Sequence, residues 1–184
     1  KPFGMKSDKT WVLLANYGDR TLVRSKVAWD LGKQLDGLKW TPDSVFTELF
    51  INGKYLGSYQ LVQSIKIDSN RVKVDKVTGQ VMEFDPHWKD GDGTFGFKGF
   101  SGQDFSYKDP DEAKKLDDNS EDPEGLTAAK KAAMKTKITN FETVLYGADK
   151  KRDWSSTKAN TYAPGDPNDW TTYLDMNSAV DYYL

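Results

Sequence analysis

The residues of this chain whose types and spacing could do chemistry are few. Asp90-Gly-Asp-Gly-Thr94 sets two carboxylates on a tight glycine-rich turn, which is half of what a calcium loop needs. It lacks the third Asp and the distal bidentate Glu of an EF-hand loop, so a plain solvated turn accounts for it as well. His87, the only histidine, stands beside Trp88 in a turn-rich stretch and is either a lone base or a surface residue. The glycines from Gly96 to Gly102 have neither the spacing nor the strand-to-helix setting of a phosphate loop. Six Trp side chains could form a stacking platform for sugar rings, but Trp11 and Trp29 fall in periodic segments and read as packing residues.

Composition removes whole classes of mechanism. The 184 residues contain no Cys, which excludes disulfides, thiolate nucleophiles and thiolate metal sites. A single His rules out any site built on several imidazoles. With 26 Lys+Arg against 28 Asp+Glu, the net charge of −2 gives no electrostatic footprint for nucleic acid or an anionic membrane. No apolar run approaches the roughly 20 residues of a membrane span, and no signal peptide opens the chain. Nine Tyr and nine Phe beside the Trp residues mark a chain that folds around a core.

The elements that must position any site follow from periodicity. Trp11-Val-Leu-Leu-Ala-Asn-Tyr17 predicts a buried strand. Asp19 predicts an N-cap for a helix from about Arg20 to Leu35, with Val23, Val27, Leu31 and Leu35 as one stripe and Gly37 as its stop. Val45–Ile51 and Lys54–Val62, joined by Asn52-Gly53, predict a β-hairpin with a type I′ turn, and Gly57 suggests a bulge. Short strands are predicted at Arg71–Val74, Gln80–Phe84, Thr94–Phe97 and Asp104–Lys108. Asp109–Pro123 reads as an acidic surface loop, and Asp122-Pro123 as the start of a helix running to Tyr146, with Gly147 ending it. Lys150-Lys151-Arg152 reads as a solvated turn. Asp175 predicts the cap of a last helix, in which the chain stops on an apolar residue as a fragment would. The fold class expected is α+β, an antiparallel sheet with packed helices, sheet-rich over about 1–110 and more helical over about 122–184.

Beyond this point the reading rests on likeness. Lys9-Thr-Trp11-Val-Leu-Leu-Ala-Asn-Tyr17, Asp19 and Thr21-Leu-Val-Arg24-Ser-Lys26 resemble the "KWVLLANY-D-TL-RNK" signature of the CotH family, the spore-coat-H type of atypical protein kinase. The hairpin Glu48–Tyr59 is similar to that family's "LYLNGEYLGVY". Val81-Met-Glu83-Phe-Asp85 resembles its "LLEID", and Phe105-Ser-Tyr-Lys108-Asp-Pro-Asp111 its "F-x-x-K-x-P". Asp175-Met-Asn-Ser178-Ala-Val-Asp-Tyr182 resembles its "D-x-x-S-F-x-D-Y-F" helix start.

The resemblance implies one partial kinase-like domain over 1–184, truncated at both ends. It implies ATP with Mg or Mn, and phosphorylation of Ser or Thr on a secreted or cell-surface protein substrate. The family's catalytic Asp lies in an "N-x-D" stretch shortly after the last helix, and its metal-binding Asp later still, so no catalytic residue is assigned and the metal ligands are unknown. For nucleotide binding the resemblance implies Arg24, Gln63, Glu83 and Lys108. Arg24 is the phosphate-side candidate, with a structural ion pair as the equal alternative. Glu83 and Lys108 are charged strand residues of the kind that usually face solvent. Gln63 stands where the family usually has Glu, and its amide cannot balance a cation. The rival class is a non-catalytic surface module that binds glycan or protein on the same scaffold.

Overall fold

The computed structural model describes residues 1–87, 95–111, 122–147 and 165–183. It is α+β, with two three-stranded antiparallel sheets and three α-helices among the described residues. The chain divides into two compact units: residues 1–74 with 177–184, and residues 75–176 inserted between them.

In the first unit, β1 (Trp11–Leu14), β2 (Ser44–Ile51) and β3 (Lys54–Gln63) form a sheet of order β1-β3-β2. The β2–β3 hairpin turns where the sequence predicts. Asn52 and Gly53 have φ of 51° and 76°, the two positive values that a type I′ turn requires. The ladder slips between Leu49 and Phe50, opposite Gly57, whose φ is 112°, which is the expected bulge. β1 is shorter than the apolar run predicts and is not buried on both faces, since Val12 and Leu13 are exposed. A continuous apolar run does not distinguish a central strand from an edge strand, and β1 is an edge.

Helix α1 (Arg24–Gly32) begins four residues later than predicted. Asn16 and Leu22, both at positive φ (49° and 60°), fold the intervening segment into turns. Asp19 is not its N-cap, a place held by Val23 without a capping side chain, but Asp19 Oδ2 accepts from the N–H of the first helical residue, Arg24, at 2.9 Å. The predicted stripe does not face a core, because Val23, Val27 and Leu31 are all exposed. Arg71–Val74 forms no strand; Val72 makes a single parallel bridge to Ile67. The last helix, α3 (Met176–Tyr183), forms where expected.

In the second unit, β4 (Val81–Phe84), β5 (Gly96–Lys98) and β6 (Asp104–Asp109) make a sheet of order β4-β6-β5. Phe95, Phe97, Tyr107 and Leu126 are its buried centre, with Met82, Phe105, Met134 and Ile138 against them. Met134 and Ile138 belong to α2 (Ala128–Tyr146), so this helix lies on the sheet. Its cap is Thr127, whose side chain accepts from the Lys130 N–H at 3.2 Å, and not Asp122. Asp122 is engaged in a tight turn to the Glu124 N–H at 2.9 Å, which delays the helix. Gly147, at φ 76°, ends it as expected. Of the predicted apolar face, Ala129 and Ala133 are exposed. The calcium-like turn at Asp90–Thr94, the centre of the acidic loop and Lys150–Arg152 lie outside the described residues.

Candidate functional site

Arg24 opens α1 with its side chain 81% exposed. Its Nε lies 3.6 Å from Asp19 Oδ1, which also accepts from the Thr21 hydroxyl at 2.7 Å and the Thr21 N–H at 3.0 Å. The Thr21 hydroxyl and the Arg24 N–H hold the Asp19 carboxyl below the usual carboxylate range. Most of the Arg24 fork remains in water. A guanidinium presented in this way suits a phosphate oxygen, with Asp19 as the group to be displaced.

The connection leading to Arg24 is pinned from below. Asn16 Nδ2 donates to Gln60 Oε1 at 2.9 Å and to the Leu22 carbonyl at 3.4 Å. Gln60 is fully buried and passes its own Nε2–H to Ser44 Oγ at 2.9 Å. The non-glycine left-handed turns at Asn16 and Leu22, each costing of order 1 kcal/mol, are therefore fixed by an amide chain from the sheet. Sequence reasoning quoted Asn16 in a motif but gave it no task, and it missed Gln60. The available signal was a Gln between the apolar residues Tyr59 and Leu61 of β3.

Gln63 is buried at the end of β3, opposite Trp11 in the ladder. Its Oε1 accepts from the Asp43 N–H at 3.0 Å, while its own N–H donates to the Asp43 carbonyl at 3.0 Å. Its Nε2 has no acceptor among the described residues. Nearby in the same unit lies Arg71, which was read as part of a strand. Its guanidinium is buried 5.2 Å from the Trp11 ring, donates from Nη1 to the Asn70 carbonyl at 3.0 Å, and stands 3.7 Å from Asp8 Oδ2. Asp8 Oδ1 accepts from the Thr10 N–H at 2.8 Å and from Lys66 Nζ at 2.9 Å. Burial pushes the Asp8 carboxyl up, but the Thr10 amide, Lys66 and Arg71 outweigh it and hold the group below its ordinary value.

Glu83 and Lys108 are in the second unit and engage one another. They form a cross-strand pair at 3.5 Å between β4 and β6, with both side chains nearly half exposed. Such a pair contributes about 0–1 kcal/mol. In that unit Glu142 is a buried, fully engaged acid. It is buried on α2 and accepts from the Phe100 N–H at 2.5 Å, the Ser101 hydroxyl at 2.5 Å and the Ser101 N–H at 3.4 Å. The glycines from Gly96 to Gly102 thus hold a side chain of the same unit. Gly99 has no room for a Cβ, which would strike the Glu142 carboxylate. His87 is exposed, with its N–H on Asp85 Oδ1 at 2.9 Å. Among the described residues no three acidic or His side chains converge to hold a metal, and no helix is long and apolar enough to cross a membrane.

Set beside known proteins, the chain falls into a class that its motifs already suggest, the kinase-like proteins. The family model described as CotH kinase protein matches residues 1–184, the whole chain, and the chain belongs to that family. No curated protein and no solved structure matches it.

Proposed function

We propose that this chain is part of an atypical protein kinase, with a kinase-like fold, that transfers the γ-phosphoryl group of ATP to a Ser or Thr hydroxyl of a secreted or cell-surface protein. In that reaction the hydroxyl oxygen bonds to phosphorus, the bond to ADP breaks, and the hydroxyl proton leaves to a base. The observation that carries the reading is family membership across the whole chain. Arg24 supports it, because its charge is exposed at the start of a helix and, among the described residues, is engaged only by a long ion pair. The residues fit the phosphate side of ATP at that point. No group of three or more acidic or His side chains among the described residues fits the metal, so Mg or Mn has no assigned ligand here.

The test is a calorimetric titration of the chain with ATP, with and without Mg²⁺ or Mn²⁺. Saturable binding is expected, weakened about tenfold in Arg24→Ala, as loss of a charge-assisted contact implies. Absence of binding, or binding indifferent to Arg24→Ala, counts against the reading. The rival is a glycan- or protein-binding surface module. It is favoured by the uncharged amide at Gln63 and by the exposed Phe50–Tyr55 pair near the hairpin tip, whose rings lie 5.1 Å apart. Saturable glycan binding lost in Tyr55→Ala, with no response to ATP, would decide for it.

A further inference from the structure

Gly37, in the connection between α1 and β2, is held on both sides of its backbone by α3. Its N–H donates to Asp181 Oδ2 at 2.6 Å, and its carbonyl accepts from Ser178 Oγ at 2.5 Å. Ser178 and Asp181 are three residues apart, so they lie on the same face of the helix. A Cβ on Gly37 would collide with the Asn177 carbonyl and the Asp181 carboxylate. Gly37 was expected to stop a helix through its backbone freedom. Its φ is not in the left-handed region, and what it provides is close approach.

We propose that Ser178 and Asp181 are positioning residues, which grip the Gly37 backbone and thereby set the depth and rotation of α3. The eight described residues of α3 are too few to persist as a helix by themselves, so this stretch is held by docking contacts. Val180, on the same helix, is half exposed and supplies little anchoring by burial. Two polar side chains closing on one peptide fix a helix more sharply than apolar contact does, because each requires a direction as well as a distance. Both are residues that the terminal motif singles out, and the clasp gives them a task other than chemistry. The inference rests on the kinase reading in one respect: on that reading the catalytic Asp follows this helix, and the clasp aims it.

Two measurements test the proposal. In the 184-residue chain, hydrogen exchange should show the Gly37 amide and the α3 amides protected together. Gly37→Ala and Asp181→Ala should each speed exchange across α3 at least tenfold while leaving β3 unchanged. Asp181→Asn, which keeps an acceptor oxygen, should restore protection to within about threefold of the parent. If α3 exchange ignores Gly37→Ala, or Asp181→Asn is as damaging as Asp181→Ala, the proposal is overturned. In a chain continuing through the following segment, Ser178→Ala and Asp181→Ala should lower kcat for phosphate transfer with KM for ATP unchanged; an unchanged kcat overturns the positioning role. If the longer chain without substitutions transfers no phosphate at all, the kinase reading fails, and the exchange experiment still decides the clasp.

Discussion

Tyr107 combines a buried ring with a hydroxyl that has no hydrogen-bond partner among the described residues. The ring sits in the centre of the second unit, edge-on to Phe97 at 6.2 Å. Burial pushes its hydroxyl up to about 12, from an ordinary value near 10. Between those values the unfolded chain gives up a proton that the folded chain retains, so stability falls as pH rises through that window. At pH 11 the hydroxyl is about ten-to-one deprotonated in the unfolded chain and about ten-to-one protonated in the folded one, a loss of about 1.4 kcal/mol, and by pH 12 the loss approaches its limit of about 3 kcal/mol. Removing the hydroxyl in Tyr107→Phe abolishes this loss. It also removes a buried group without a partner, which at neutral pH should stabilise the unit by about 1 kcal/mol. Urea unfolding of parent and variant at pH 7, 9, 10 and 11 measures both effects, and the gap between them should widen by about 1.3 kcal/mol from pH 9 to 11. Tyr55, raised chiefly by its hydrogen bond to Glu48, titrates alike in both proteins and cancels. A constant gap, or a Tyr107→Phe variant weaker than the parent at pH 7, would refute the reasoning.

Four further outcomes are expected. Asp8→Asn leaves the Arg71 guanidinium buried without its countercharge, so it should cost about 3 kcal/mol in urea unfolding. Asp8, Asp19, Asp30 and Asp75 are all held below the usual carboxylate range, so the stability they contribute is complete above about pH 4 and declines as pH falls through their lower folded values. Thermal melts between pH 5 and 2 should therefore show a steeper acid loss in the parent than in Asp8→Asn. Gly99→Ala forces a methyl against Glu142 and the Phe105 ring, and should lower stability by about 2 kcal/mol, read by urea unfolding of the variant. Gly53→Ala meets no neighbour, and should cost only about 1 kcal/mol of backbone strain in the same assay.

What was legible in the sequence was what short-range chemistry determines. Asn52-Gly53 fixes a turn by backbone preference alone, Gly57 a bulge, and Gly147 a helix end. The α+β class and the family followed from such local matches in order. What was not legible depends on partners distant in sequence. Val23, Val27 and Leu31 are spaced as a buried stripe, but spacing says only that they share a face, and that face is exposed. The interior holds Gln60, Gln63, Arg71 and Glu142, polar residues that a hydrophobic pattern assigns to the outside. Each is inside because of a group far along the chain: Asn16 for Gln60, Asp43 for Gln63, Trp11 and Asp8 for Arg71, and the Phe100–Ser101 backbone for Glu142. Of the four residues assigned to nucleotide by resemblance, Arg24 and Gln63 are in one unit and Glu83 and Lys108 in the other. Local motifs carry no information about that division.

The insertion of residues 75–176 within the first unit bears on how the chain is made. The Gly37–Asp181 hydrogen bond joins residues 144 apart. Closing a flexible loop of that length costs about 4 kcal/mol of chain entropy. During synthesis the first unit emerges without its last helix and must wait for the whole inserted unit before it can be completed. If the inserted unit folds first, a compact unit takes the place of the flexible span, and closure becomes the docking of α3. The economical order of assembly is therefore the reverse of the nesting: residues 75–176 fold early, and α3 joins residues 1–74 afterwards.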